Sequence, residues 1–260
     1  RKCKAATNKP FGVNVPLIYP QIDDHIKIIV DEGVKIVFSS AGNPKKYTSF
    51  LKDHGITVVH VVASVKFALK SQEAGVDAVV AEGFEAGGHN GADETTTMVL
   101  IPQVKEAIDI PLIAAGGIAS GRAMLAAMAL GADGVQIGSR FAASEESSGH
   151  ENFKKAIVEA TEGSTILTLK KVVPVRLIKN SFYRQVQEAE DGGAGRMELM
   201  KILGRARAKR GMFEGDLEEG ELEIGQVSGI IHEIKPAAEI LREIVNEYNL
   251  AIDQLLDHRL

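Results

Sequence analysis

Two short glycine segments carry backbone groups that can bind an anion. Gly116-Gly117 follows an apolar run and precedes Ser120, a residue type that often begins a helix. Gly138-Ser139 follows the next apolar run and adds a hydroxyl group. Glycine lets a ligand approach backbone N–H groups, and the N-terminus of a helix favours negative charge. Together the two segments predict a phosphate site; the alternative for each one alone is a tight turn without a ligand.

His89 is the candidate for acid–base chemistry. Four glycines within nine positions surround it, and they oppose a helix and let the backbone lie against a flat ligand. These glycines are Gly83, Gly87, Gly88 and Gly91. A histidine in such a segment can act as an acid, a base or a hydrogen-bond donor. We predict that His89 is catalytic; the alternative is an exposed loop histidine without a role.

The elements that precede these residues must position them. Six short apolar runs predict strands, at Phe11–Val15, Val34–Ser39, Thr57–Ala63, Asp77–Glu82, Pro111–Ala115 and Gly134–Gly138. Helical patterns separate them, at His25–Glu32, Tyr47–His54, Ser64–Ala74, Val99–Ile108 and Gly121–Leu130. The alternation predicts a parallel sheet with crossover helices. The strands are nearly continuous in apolar residues, which indicates that both faces of the sheet are covered.

Polar residues and glycines follow nearly every predicted strand, as in a barrel whose active face is built from all of its βα loops. An open sheet needs only one or two such loops. We therefore predict an α/β fold of the TIM (β/α)8 barrel type. Barrels commonly bind phosphate after strands seven and eight. If the two strands before the glycine turns are the seventh and eighth, the six predicted strands are the third to eighth. The sequence begins at Arg1 without a methionine, and we expect it to lack the first two βα units.

The sequence pattern changes beyond Ala143 to helices and long polar connections. We predict a ligand-binding barrel over residues 1–143, a helical lid or substrate domain over residues 144–225, and a C-terminal segment over residues 226–260. Further helices are predicted at Glu151–Glu162, Met197–Lys209 and Pro236–Leu256, the last of them closing the barrel. Basic residues of the lid are Arg176, Lys179, Arg184, Arg205, Arg207, Lys209 and Arg210. They form either a solvated face or a docking surface for an acidic carrier protein or a pyridine nucleotide phosphate.

Composition excludes several classes of protein. Thirty basic and thirty-five acidic residues give a formal charge of −5, without the basic excess that nucleic-acid binding requires. No apolar run is long enough to cross a membrane. The single cysteine, Cys3, cannot form an internal disulfide or a thiolate metal cluster, so redox chemistry would need a bound cofactor. We expect a cytoplasmic protein with no metal site and no nucleic-acid or membrane partner.

Three motifs occur in an order that resembles a known enzyme family. They are Glu82-Gly-Phe-Glu-Ala-Gly-Gly-His-Asn-Gly91, Ile113-Ala-Ala-Gly-Gly-Ile118 and Gly131-Ala-Asp-Gly-Val-Gln-Ile-Gly-Ser-Arg-Phe141. The sequence is similar to the FMN-dependent nitronate monooxygenase family, which includes the enoyl-acyl-carrier-protein reductase II enzymes. This resemblance extends from Lys9 to Ile231 and implies that the ligand of the barrel is FMN.

The resemblance also implies individual site residues, with His89 as the catalytic histidine. The FMN contacts correspond to Asn14, Glu82, Gly87, Gly88, Gly116, Gly117, Gln136, Ile137, Gly138 and Ser139. Glu82 replaces the glutamine of many relatives, and Ser139 replaces their usual threonine while keeping the hydroxyl group. A glycine-methionine flavin loop follows the first strand in the family, and this sequence has no such segment.

Two redox functions follow from the resemblance. An enoyl-acyl-carrier-protein reductase would use NADH or NADPH as co-substrate to reduce an enoyl thioester in fatty acid biosynthesis. A nitronate monooxygenase would oxidise small alkyl nitronates with O2. Segments 146–154, 175–180 and 215–220 are more similar to the reductase branch. A homodimer is a further expectation. Outside redox chemistry, the glycine turns are also compatible with a sugar-phosphate aldolase or isomerase, or with a phosphate-binding module, although no lysine ends a strand to form a Schiff base.

Overall fold

The computed structural model describes residues 1–256. Strands β1 to β9 are Gly12–Pro16, Ile36–Ser40, Thr57–Val62, Ala78–Glu82, Gly88–His89, Leu112–Ala115, Gly134–Gln136, Thr165–Thr168 and Val175–Ile178. Helices α1 to α11 are Lys2–Ala6, Ile22–Asp31, Thr48–Asp53, Val65–Glu73, Thr97–Ala107, Gly121–Ala129, Ser139–Ala142, Glu151–Val158, Ser181–Asp191, Arg196–Leu203 and Ala237–Leu256. None of the described helices combines the length and apolarity needed to cross a membrane.

The main sheet contains six parallel strands in the order β1-β2-β3-β4-β6-β7. All six strands predicted from the sequence are present, and every pairing between them is parallel. β1 and β7 are the two outer strands of the described sheet. The α/β class is therefore confirmed, and the carboxyl ends of all six strands lie at one edge.

Both faces of the sheet are covered, as the continuous apolar strands predicted. The larger core lies between the sheet and helices α2 to α6, and Val37, Val79 and Leu112 are fully buried in it. A smaller cluster on the opposite face contains Val59, Val80 and their neighbours. Two layers of side chains thus fix the strand ends that carry the polar residues.

Serines begin the crossover helices around the site. The side chain of Ser64 accepts a hydrogen bond from the Phe67 N–H group, and that of Ser120 accepts one from the Ala123 N–H group at 3.2 Å. Each bond satisfies one backbone donor that a helix start leaves without a partner. The predicted role of Ser120 as a helix cap is confirmed, and it directs the chain away from the sheet directly after Gly116-Gly117.

The segment expected to be a helical lid also contains strands. β8 and β9 form an antiparallel pair, and β5 extends it into a three-stranded sheet. The sequence analysis did not predict these strands, and the pairing of β5 with β9 joins residues that are distant in sequence. The helix predicted over Met197–Lys209 ends at Leu203, since Gly204 adopts φ +64°, and the helix predicted over Glu151–Glu162 ends at Val158.

Helix α11 packs against α6, as expected of a final barrel helix. The Gly121 N–H group donates to Glu247 Oε2 at 2.8 Å. A Cβ atom on Gly121 would come within 2.2 Å of the Tyr248 backbone nitrogen, so only glycine permits this approach. Residues 257–260 of the predicted C-terminal segment lie outside the described residues.

Candidate active site

Two cavities open side by side at the carboxyl edge of the main sheet. The smaller has a volume of about 270 Å³ and the larger about 860 Å³. Glu82, Gly87 and Gln136 line both of them. Glu82 ends β4, Gly87 lies within the glycine-rich segment and Gln136 ends β7. The cavities therefore meet where the sequence analysis placed its candidate residues.

The predicted site residues divide between the two cavities. The smaller cavity is lined by Glu82, Gly87, Gly88, Gly116, Gly117, Gln136, Gly138 and Ser139. Asn14 and His89 line the larger cavity. Ile137 lines neither cavity and packs against the larger core instead, because successive residues of an extended chain face opposite sides. Only the main chain of Ile137 is therefore placed to contribute to the site.

The glycine turns have the backbone conformation that the phosphate prediction requires. Gly116 and Gly117 adopt φ +90° and +70°, which side chains other than that of glycine rarely allow. A Cβ atom at Gly138 would meet no atom within 4 Å. Ser139 Oγ accepts a hydrogen bond from the Gly225 N–H group at 3.0 Å and keeps its own proton for donation. The Ser139 hydroxyl thus joins the second turn to the lid.

His89 is held by the small sheet rather than by a free loop. In β5, Gly88 and His89 pair with Arg176 and Val175 of β9, and the Asn90 N–H group donates to the Pro174 carbonyl at 2.9 Å. These contacts involve only the backbone, and the His89 side chain is exposed toward the larger cavity. The imidazole therefore has a fixed attachment and an accessible ring.

Arg176, expected on a solvated or docking face, is instead buried. Its Nε and Nη2 atoms donate to the Phe84 carbonyl oxygen at 3.2 and 3.0 Å, and Nη1 donates to Thr165 Oγ1 at 3.2 Å. The guanidinium carbon lies 4.4 Å from the centre of the Phe84 ring. Burial lowers the pKa of Arg176, which still leaves an arginine charged at neutral pH. Arg176 fixes the glycine-rich segment to the lid.

Most other basic residues of the lid form ion pairs within the lid itself. Arg207 lies 2.9 Å from Glu219, Arg210 lies 2.6 Å from Asp216, and Lys209 lies 2.8 Å from Glu214. Arg184 lies 4.0 Å from Glu218. These pairs compensate much of the basic charge and favour the solvated-face interpretation over a docking surface.

Three carboxyl groups line the smaller cavity, and only Glu82 was predicted. Burial raises the pKa of Glu82 to about 7. Burial also raises the pKa of Glu223, whereas the charge of His89 acts in the opposite direction on that group. Glu85 accepts hydrogen bonds from the Thr97 N–H group at 2.9 Å and from Thr97 Oγ1 at 2.9 Å, so it caps helix α5. Glu223 was missed because its segment had no periodic pattern.

Comparison with known proteins decides the family. The sequence profile described as Nitronate monooxygenase matches residues 18–247. The chain belongs to the nitronate monooxygenase family. It is therefore an oxidoreductase of an FMN-dependent family. The resemblance inferred from the three glycine-containing motifs is confirmed.

Individual family members match nearly the whole chain. A probable nitronate monooxygenase of Staphylococcus saprophyticus is 32% identical over 93% of this chain and 72% of its own length. The structure of FabK from Thermotoga maritima is similar with a TM-score of 0.94 and 43% identity, over 99% of this chain and 82% of that one. A nitroalkane oxidase from Streptomyces ansochromogenes gives a TM-score of 0.82 and 26% identity, over 98% and 84% of the two chains.

The residues around the cavities fit the flavin of the nitronate monooxygenase family. Backbone N–H groups at Gly116, Gly117 and Gly138 suit a phosphate group, and the Ser139 hydroxyl adds a donor. The open space at Gly138 allows a ligand to approach the main chain there. Gln136 offers both amide donors and a carbonyl acceptor at the junction of the cavities, where a flavin ring system requires both kinds of partner.

Proposed function

We propose that this protein is an FMN-dependent enoyl-acyl-carrier-protein reductase II, which reduces the double bond of an enoyl thioester with NADH or NADPH. The observation that carries this proposal is the similarity to FabK, whose 43% identity exceeds the 26% found for the nitroalkane oxidase. The segments 146–154, 175–180 and 215–220 add support, because they resemble the reductase branch.

The glycine turns and the junction of the two cavities would hold the FMN. Gly116, Gly117, Gly138 and Ser139 supply donors for its phosphate group, and the main chain of Ile137 lies between Gln136 and Gly138. The chemistry that bound FMN would supply is hydride transfer from NADH or NADPH to the double bond. The protein then has to bind the thioester, orient it and provide a proton.

The larger cavity has the properties of a substrate site. Its wall includes the apolar residues Val61, Phe67 and Val173, which suit an acyl chain or a small nitronate. His89 lines the same cavity with its ring exposed. We assign His89 the role of acid or hydrogen-bond donor at the reacting atoms of the substrate.

The proposed fold is a closed TIM (β/α)8 barrel in which the six strands β1, β2, β3, β4, β6 and β7 of the main sheet serve as strands three to eight. Both outer strands support this proposal, because β1 and β7 each present one row of backbone groups without a strand partner in the described sheet. Two further parallel strands between them would pair these groups. The lid over residues 144–225 and the C-terminal segment keep their proposed roles as substrate domain and final helix.

Nitronate oxidation is the second candidate function. The 32% identity to a probable nitronate monooxygenase over 93% of this chain favours it. Under this candidate the same His89 would face a small nitronate in place of an enoyl thioester.

Anaerobic mixing of the whole flavin-loaded protein with NADH or NADPH separates the two candidates. Flavin bleaching at a rate compatible with turnover, followed by reoxidation with an enoyl thioester, is expected for the reductase. Bleaching by an alkyl nitronate, with no response to either nicotinamide, would replace the reductase with the monooxygenase. A protein that binds no flavin would contradict both.

A further inference from the structure

The lining of the smaller cavity combines anion-binding turns with acidic side chains. Glu82, Glu85 and Glu223 line it together with Gly117 and Ser139, and no lysine, arginine or histidine does so. Two cationic side chains, Lys45 and Lys70, line the larger cavity instead. An anion bound at the turns would therefore meet carboxyl groups without a compensating cation.

The three carboxyl groups differ in their hydrogen bonds. Glu85 is held by the N–H group and the hydroxyl group of Thr97, which stabilise its charged form. Neither Glu82 nor Glu223 has a side-chain hydrogen bond within residues 1–256. A buried carboxyl group without such partners disfavours its charged form. Burial accordingly raises the pKa of both groups, to about 7 for Glu82.

Glu223 is fixed in the cavity wall by its neighbours. The Gln226 N–H group donates to the Glu85 carbonyl at 2.9 Å, and the Ile178 N–H group donates to the Leu222 carbonyl at 2.9 Å. A Cβ atom on Gly88 would lie 2.8 Å from Glu223 Oε2, so the carboxyl group rests on the backbone of the glycine-rich segment. The carboxyl group of Glu223 therefore lies at the junction of the smaller cavity and the glycine-rich segment.

Other titratable groups surround this pair. Glu223 is faced by Glu221, which lies two residues away, and by His89, whose charge lowers the pKa of Glu223 against the effect of burial. Glu82 also lines the larger cavity, where His60, His89, Lys45 and Lys70 are present. Burial and the charge of Glu223 raise the pKa of Glu221 to about 7, but Glu221 lines neither cavity.

We propose that anion binding in the smaller cavity is coupled to proton uptake by Glu82 and Glu223. The identity of the anion as the phosphate group of FMN rests on the proposed function. An incoming negative charge favours the neutral form of each carboxyl group, so both bind protons more tightly in the complex. Affinity must then fall as the pH rises above the value at which the free carboxyl groups ionise.

Fluorescence titration of the whole protein tests the coupling. FMN and riboflavin, which lacks the phosphate group, are each titrated at pH 7 and at pH 9. Each proton taken up permits a change of up to about tenfold in affinity per pH unit. We expect the Kd for FMN to rise between these pH values by at least about tenfold more than the Kd for riboflavin. Calorimetry in two buffers with different ionisation enthalpies should show net proton uptake on FMN binding at pH 7.5. Equal pH dependence for the two flavins, or no proton uptake, would overturn the proposal.

Three glutamine variants assign the effect to residues. Glu82→Gln and Glu223→Gln should each reduce the pH dependence of FMN binding and lower the Kd at pH 9 by at least about threefold. Glu106→Gln is the control, because it removes an exposed carboxyl group that lines neither cavity, and it should keep the pH dependence of the unmodified protein. The assignment is wrong if all three variants behave alike.

Failure of the coupling and failure of the proposed function give different results. Proton uptake with FMN but no bleaching by NADH or NADPH would reject only the reductase. Bleaching without proton uptake would reject only the coupling. If FMN does not bind, inorganic phosphate becomes the probe. The coupling is rejected if phosphate does not bind, or if it binds as tightly at pH 9 as at pH 7.

Discussion

Ser39 and His60 are direct neighbours in the register of β2 and β3, and Ser39 Oγ lies 2.7 Å from His60 Nδ1. The Ser39 hydroxyl also donates to the Val59 carbonyl oxygen at 3.3 Å, which leaves its oxygen to accept from an Nδ1–H group. Both residues are buried, and burial lowers the pKa of His60 to about 4.

Acid sensitivity of the fold follows from this pair. The unfolded chain takes up a proton on His60 below about pH 6.5, whereas the folded protein does so only near pH 4. The contribution of His60 to the free energy of unfolding is therefore complete above about pH 6.5 and decreases as the pH falls toward 4. Urea unfolding at pH 7 and pH 5 should show a smaller loss of stability for His60→Asn than for the unmodified protein. His54→Asn, at an exposed histidine, is the control and should behave like the unmodified protein.

Gly117→Val should remove FMN binding. A Cβ atom added at Gly117 would lie 3.5 Å from the Glu85 side chain. The valine side chain would therefore occupy space at the predicted phosphate site. Valine at φ +70° also costs backbone strain, so Gly163→Val, at φ +74° with open space around it, measures that cost alone. FMN content after purification and melting temperature are the measurements. Stoichiometric FMN at normal affinity in Gly117→Val would mean that the phosphate site is misplaced.

His89→Ala separates chemistry from fold. His89 contributes to the small sheet through its backbone and exposes its ring, so we expect a melting temperature and FMN content near those of the unmodified protein. Loss of a positioned acid or hydrogen-bond donor typically slows a reaction by about 10²- to 10⁴-fold, and we expect at least about tenfold here. Turnover with enoyl thioester and with nitronate is measured, and His54→Ala is the control. Unchanged turnover with both substrates would leave His89 without a catalytic role.

Arg176→Met tests the attachment of the glycine-rich segment to the lid. The substitution leaves the Phe84 carbonyl oxygen and Thr165 Oγ1 without their buried donors. We expect a loss of about 2 to 4 kcal/mol in the free energy of unfolding, measured by urea denaturation, together with slower turnover because β5 carries His89. Arg184→Met, at an exposed residue, should cost less than about 0.5 kcal/mol. Equal stability of the two variants would show that the contacts of Arg176 are unimportant.

The main sheet could be predicted because its information is local. Each strand is a short apolar run with polar residues or glycine at its end, and the carboxyl ends of parallel strands necessarily meet at one edge. This reasoning placed Glu82, Gly117 and Ser139 at one edge of the sheet, and all three line the smaller cavity. It also placed the cap Ser120, since a helix start depends only on the next few residues.

The lid side of the site could not be predicted because its contacts are distant in sequence. Arg176 reaches the Phe84 carbonyl 92 positions away, and Ser139 reaches Gly225 86 positions away. Segment 221–226 has no periodicity, and its contacts with Glu85, Gly88 and Ile178, all distant in sequence, place Glu223 in the cavity wall. Arg176 looked like a surface residue because arginine is seldom fully buried without partners that the sequence does not reveal.

The contact between Gly121 and α11 has a consequence for synthesis of the protein. All six strands of the main sheet are complete at Gln136, but Glu247, whose side chain binds the Gly121 N–H group, is made 126 positions after Gly121. At roughly 5 to 20 residues per second, the ribosome needs on the order of 6 to 25 s to cover that interval. The surface of α6 around Gly121 thus stays uncovered on the nascent chain after the sheet is complete, and chaperones can bind it until α11 emerges.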